Sequence, residues 1–132
     1  MVIDTSALIA ILFDEPERRR FNEAIEAAGS RLCSVASFVE ASIVVEVRRG
    51  AEGARDLDAF LEKAAIELVP VDVVQAKLAR AAFARFGKGR HPAGLNFGDC
   101  FAYALAVSRR EPLLMKGDGF PHTDVELLLA AS

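Results

Sequence analysis

Cysteine is scarce: Cys33 and Cys100 are the only two. Two thiols make neither a disulfide framework nor a zinc set. The expectation is a pair of buried thiols in a reducing cytoplasm. Long apolar runs are also lacking. The longest early one, Ala7 to Phe13, has seven residues, against the roughly 18–20 needed to span a bilayer, so no membrane is expected. No basic segment precedes that run, and Asp4 stands there instead, which argues against a secretory signal. Internal repeats and linker-like stretches are missing. So are acids in one window. Between Asp72 and Asp99 there is none, while Lys77, Arg80, Arg85, Lys88 and Arg90 lie there beside His91.

What is present fits one compact domain of 132 residues, long enough to bury a sizeable core. Hydrophobic residues make up 52%, which excludes a disordered tail. Twenty-three of the residues are Ala, so the figure overstates the bulky core. Even so, a mean hydropathy of +0.25 is high for a soluble monomer, and a partner or a second copy is expected to cover apolar surface. Sixteen basic and 19 acidic residues give a net charge of −3. That balance excludes a general nucleic-acid coat. The acid-free window could still hold a polyanion at one place, or simply solvate a helix face.

The order of elements points to an α/β sheet. Residues 1–3 read as a buried strand, and Asp4-Thr5-Ser6 supplies cap chemistry before a helix over 7–12. Pro16 opens a second helix that ends before Gly29. A strand over 31–35 is followed by a helix over 36–49 ended by Gly50. A separate helix is expected over 52–64. A third strand covers 66–71, and Asp72 with Gln75 starts a helix to about Phe86. A loop over 87–94 precedes Asn96, which caps a helix from Phe97 to about Arg109. A fourth strand covers 112–115, and Gly117-Asp118-Gly119 makes a turn. The tail from Thr123 reads as either an edge strand or a helix. Strands alternating with helices imply a parallel sheet covered on both faces, with ligands at the carboxyl ends of the strands.

Four acids fall where such a sheet places ligands. Asp4 ends the first strand, although capping the next helix would also account for it. Glu40 is the one charge on a stripe of Ala36, Ile43, Val44 and Val47. A lone buried carboxylate there needs a pair or a metal, whereas a carboxylate that reaches solvent needs neither. Asp99 reads both as the partner of Asn96 in a capping box and as a carboxylate projected into the crevice. Asp118 sits in a glycine-flanked turn after the fourth strand, either as turn chemistry or as a further site acid. Clustered acids repel unless a cation neutralises them. With no His/Cys set, an all-oxygen site selects Mg²⁺ or Mn²⁺, ions that serve phosphoryl chemistry. The basic window would then hold the polyanion.

The segments MVIDTSALIAIL, VASFVEASIVVE, GKGRHPAGLNFGDCFAYALA and PLLMKGDGFPHTDV resemble, in this order and over nearly the whole chain, a PIN-domain ribonuclease of the VapC toxin type. The resemblance implies a three-layer α/β/α PIN-like domain over 1–132, with a central parallel sheet of four or five strands. It implies Mg²⁺-dependent (or Mn²⁺-dependent) RNA cleavage leaving 3′-hydroxyl and 5′-phosphate ends. It maps the acidic site onto Asp4, Glu40, Asp99 and Asp118, with Thr5 and Asn96 as polar residues beside it. Gly119 stands where many relatives carry a further acid, and the role of Asp124 stays open. Lys88, Arg90 and His91 are the expected RNA contacts. The expected partners are a small antitoxin, docked as an amphipathic helix, and a second copy of the chain in a homodimer. Two other readings remain: a catalytically silent PIN scaffold that binds RNA or protein, and an acidic-pocket receiver domain. The receiver fits poorly, because Thr5 and Ser6 follow Asp4 where a second acid is usual.

Overall fold

The computed structural model describes residues 1–117 and 119–125. Strands β1 (Val2–Ile3), β2 (Leu32–Ser34), β3 (Glu67–Val69) and β4 (Leu113–Leu114) form one sheet in the order β3-β2-β1-β4. Every pairing is parallel, with Val2 opposite both Leu32 and Leu113, and Cys33 opposite Leu68. The chain steps outward from β1 to β2 to β3, then crosses back to place β4 on the far side of β1. The order therefore reverses between β1 and β4, the crevice where open α/β sheets bind ligands.

Alternation along each strand builds the two cores. Val2, Leu32 and Leu113 face helices α4 (Val73–Phe86) and α5 (Phe97–Arg109), meeting Ala82, Phe86 and Leu105. Ile3, Cys33 and Leu114 face the opposite layer of α1 (Thr5–Leu12), α2 (Arg18–Ala27) and α3 (Val35–Lys63), meeting Leu8, Phe21, Val45 and Leu57. This is the expected α/β/α sandwich, with four strands among the described residues.

Several boundaries differ from the sequence reading. The strands are shorter than expected, and β1 and β2 run straight into the helix caps at Asp4 and Ser34. The helices expected over 36–49 and 52–64 run on as one element broken at Gly50, whose φ of 63° and ψ of −150° suit a residue without a Cβ. Helix α2 starts at Arg18, with no side-chain cap on Glu17. The larger correction concerns the face that α3 buries. Its core stripe is Ser37, Ala41 and Val45, not the stripe that carries Glu40. Val39, Ile43 and Val47 are 52%, 57% and 81% exposed, and Glu40 is half-buried. Apolar residues surround this helix, so its pattern alone does not choose a face. Phe120–His122 form a short 3-10 turn. The tail expected from Thr123 lies mostly outside the described residues. Both cysteines are free and buried, and burial pushes the Cys33 thiol up to about 12 and Cys100 up to about 11. No helix among the described residues is long and apolar enough to cross a membrane.

Candidate functional site

Asp4 leaves β1 at its carboxyl end and caps α1, and only 3% of it is exposed. Its backbone N–H donates to the Leu114 carbonyl at 3.0 Å, which fixes it at the β1/β4 switch. Its Oδ2 accepts from the Ser6 N–H at 3.0 Å and from the Ser6 hydroxyl at 2.6 Å. That hydroxyl oxygen also accepts from the Lys116 N–H at 2.9 Å. Ser6 thereby bridges the ends of β1 and β4. The sequence reading used Ser6 only as cap chemistry, and its bridging role depends on a strand distant in the chain.

The Asp4 carboxyl is pushed up to about 6. Burial is the main cause, the Ser6 hydrogen bonds oppose it, and the charges of Asp99 and Glu40 add to it. Asp99 is also raised, by partial burial and then by Glu40, against the hydrogen bond from Asn96. Asp4 is buried while Glu40 and Asp99 are half-buried, and the charges of these three carboxylates, on the end of β1, on α3 and on α5, act on one another. Asp99 forms the capping box that its spacing from Asn96 predicts. Its Oδ2 accepts from the Asn96 N–H at 3.0 Å, and Asn96 Oδ1 accepts from the Asp99 N–H at 2.9 Å. The capping box fixes the carboxylate at the start of α5.

The remaining expected residues fall as follows. Thr5 is buried and donates from Oγ1 to the Ser37 carbonyl at 3.0 Å, so its hydroxyl ties α1 to α3. Asn96 is exposed, with its side-chain oxygen engaged in the cap. Asp118 lies outside the described residues. The backbone at Gly119 passes so close to the Ala93 carbonyl that a Cβ would lie 2.7 Å from it. Gly119 therefore rests on the 87–95 loop. Lys88 and Arg90 are exposed on that loop, and Arg90 lies 5.8 Å over the Phe83 ring. His91 is half-buried. Its Nδ1 accepts from the Ala93 N–H at 3.0 Å, and its ring meets Phe86 edge-on at 5.1 Å, so it shapes the loop. Asp124 takes the Tyr103 hydroxyl at 2.5 Å and pairs with Arg85 at 3.2 Å. Those contacts make it an anchor for the segment after the 3-10 turn.

The donor chemistry fits a hard cation. Among the described residues no three acid, His or Cys side chains stand close enough to form a ready cage. Mg²⁺ takes one or two carboxylates plus waters and substrate phosphates, so Asp4 and Asp99 are the residues that would hold it.

The comparisons agree with this architecture. The PIN-domain family matches residues 1–126. Ribonuclease VapC30 of Mycobacterium tuberculosis is 55% identical over 125 residues, covering 95% of each chain. Among solved structures, the Sarcin-Ricin loop cleaving toxin VapC20 of M. tuberculosis superposes with a TM-score of 0.76 at 13% identity, over 94% of this chain and 95% of that one. VapBC-5 of M. tuberculosis, a member of the VapBC family of toxin–antitoxin systems, gives 0.61 at 27% identity, over 93% and 89%. On these matches and this fold, the chain belongs to the PIN-domain family, among its VapC-type ribonuclease toxins.

Proposed function

We propose that the protein is a Mg²⁺-dependent endoribonuclease in which Asp4 and Asp99 hold the ion, with Glu40 and Asp118 completing the acidic site. The observation that carries this reading is the Asp4 carboxyl buried at the β1/β4 switch, held there by Ser6, with the charges of Asp99 and Glu40 acting against its ionisation. Such a cluster gains most from a divalent cation. When bound, Mg²⁺ would offset charge on phosphate oxygens and acidify the attacking water. The chain's own groups do the rest. Ser6 holds Asp4 in one rotamer, the Asn96 cap fixes Asp99, and burial of the crevice strengthens every charge within it. Lys88 and Arg90, at the mouth of the 87–94 loop, attract the RNA backbone that the acids alone would repel. His91 sets the course of that loop.

The structures that share this fold add support for partners. Toxin–antitoxin complexes with this fold suggest a small antitoxin as inhibitor, and the reduced thiols suit a cytoplasmic toxin. For a homodimer the support is the apolar strip of Val39, Ile43 and Val47 on α3 with Phe97 on α5, the last 79% exposed. A cavity of about 270 Å³ lies along it, lined by Val39, Ile43, Val44, Phe97 and Phe101.

The test is cleavage of a synthetic RNA pool by the purified protein. Cuts that require Mg²⁺, vanish with EDTA and vanish in Asp99→Asn support the reading. RNA binding without metal-dependent cuts would identify a silent scaffold instead.

A further inference from the structure

We propose that Gly98 is a positioning residue: its missing side chain leaves the space in which the Glu40 carboxylate is held against α5. A Cβ built at Gly98 would lie 2.4 Å from Glu40 Oε2, 2.7 Å from Cδ and 2.7 Å from Oε1. The whole carboxyl group therefore rests on the bare backbone of residue 98. The glycine is not there for its conformation. It is the second residue of α5, within regular helix, and needs no positive φ. Ala would suit that backbone better. The fold gains nothing from glycine here, whereas Glu40 gains the volume of a methyl group.

The consequence for the site follows from where α5 begins. Asp99 is the next residue, locked by its cap to Asn96, and Glu40 is the charge that acts on both Asp99 and Asp4. Glu40 is half-buried on α3, and its long side chain could instead swing to solvent. Contact with Gly98 keeps its carboxylate beside the helix start that carries Asp99. A methyl group at 98 would push the carboxylate outward, because the far end of a flexible side chain yields before backbone does. Gly98 thus fixes the spacing of the acids without touching substrate or metal. This inference rests on the metal-dependent reading above.

The experiment uses Gly98→Ala, Glu40→Asp and the double variant. Mn²⁺ affinity is measured by calorimetry, thermal stability in EDTA, and kcat and KM on RNA. Gly98→Ala is expected to match or exceed the wild type in thermal stability, to bind Mn²⁺ about tenfold more weakly, and to lose kcat with little change in KM. In the Glu40→Asp background, whose shorter side chain withdraws from residue 98, the same substitution should cost less than twofold in Mn²⁺ affinity. Wild-type Mn²⁺ affinity in Gly98→Ala overturns the proposal. So does an equal loss in both backgrounds, or a loss of thermal stability in step with the loss of affinity. The Glu40 Cδ chemical shift in metal-free protein separates the two levels of inference. If the wild type binds no Mn²⁺ and cuts no RNA, the metal reading fails, while a Cδ signal that moves in Gly98→Ala upholds the packing. A Cδ signal that stays in place refutes the positioning role itself.

Discussion

Asp4→Asn is expected to make the metal-free protein more stable at neutral pH, and the structure sets the size of the effect. The Asp4 carboxyl is raised from 3.8 to about 6. A group whose folded pKa exceeds its unfolded value supports the fold fully below the unfolded pKa, and that support is lost as pH rises through the folded pKa. The window is therefore about pH 4 to pH 7. At about 1.4 kcal/mol per unit, the charged form of Asp4 destabilises the fold by ~3 kcal/mol above it. Asn keeps an acceptor for the Ser6 donors, and the charge assistance it loses is already contained in that figure, because the Ser6 bonds hold the Asp4 pKa down. The gain is therefore ~3 kcal/mol, or about 12 °C in Tm for a chain of this length. The assay is thermal unfolding by circular dichroism in EDTA, at pH 4.5 and pH 7.5, for wild type and variant. Other groups titrate in this range, so the quantity read is the difference between the two proteins. That gap should open toward pH 7.5 and narrow when Mg²⁺ is added, since only the wild type keeps the full ligand charge. A gap that does not change with pH, or a wild type more stable than the variant at pH 7.5 in EDTA, would refute the reasoning.

Three further outcomes are expected. Replacing Lys88 and Arg90 together by Ala should weaken RNA binding and reduce the slope of log K against log salt by ~1.4, as for two phosphate contacts on a single strand. Mn²⁺ affinity should be unchanged, and an unaltered slope in RNA titrations would show that these cations only solvate their loop. Tyr103→Phe should lower stability by about 1 kcal/mol in urea unfolding, because the Asp124 carboxylate loses the phenol that anchors it. Val47→Lys, at a position 81% exposed, should leave the monomer folded and shift the mass measured by light scattering from dimer to monomer. A wild type that is monomeric at all concentrations would remove the basis for that expectation.

The parts of the molecule that were legible in the sequence are those written in local chemistry. Asp4 and Asn96-x-x-Asp99 announce helix starts within three or four residues of themselves, and both caps form as read. The order of strands and helices follows from alternating periods in the same way. The face of α3 was not legible, because Val39, Ile43 and Val47 compete with Ala41 and Val45 for the core and only contact with the other elements decides. The argument that Glu40 must be paired because it is buried fails with that stripe. The charge of Glu40 nonetheless acts on Asp4 and Asp99, by length of side chain instead of burial. Ser6 and Gly98 were missed because their roles are through-space contacts with Lys116 and Glu40, and no pattern along the chain encodes such a meeting.

The double duty of Asp99 bears on how such a toxin is lost. Burial opposes the charge of Asp4, and its removal is expected to relieve that cost. Asp99 completes a capping box, so most replacements take helix stability away along with the carboxylate. Cells that escape by mutation need a chain that is inert, and a harmless full-length protein persists where a misfolded one is degraded. Survivors that still accumulate intact protein should therefore carry changes at Asp4, while changes at Asp99 should arrive with low abundance. Asn at 99 is the exception, since its side-chain oxygen can still accept from the Asn96 N–H. The wiring of one helix start thus biases the spectrum of escape mutations that the gene can supply.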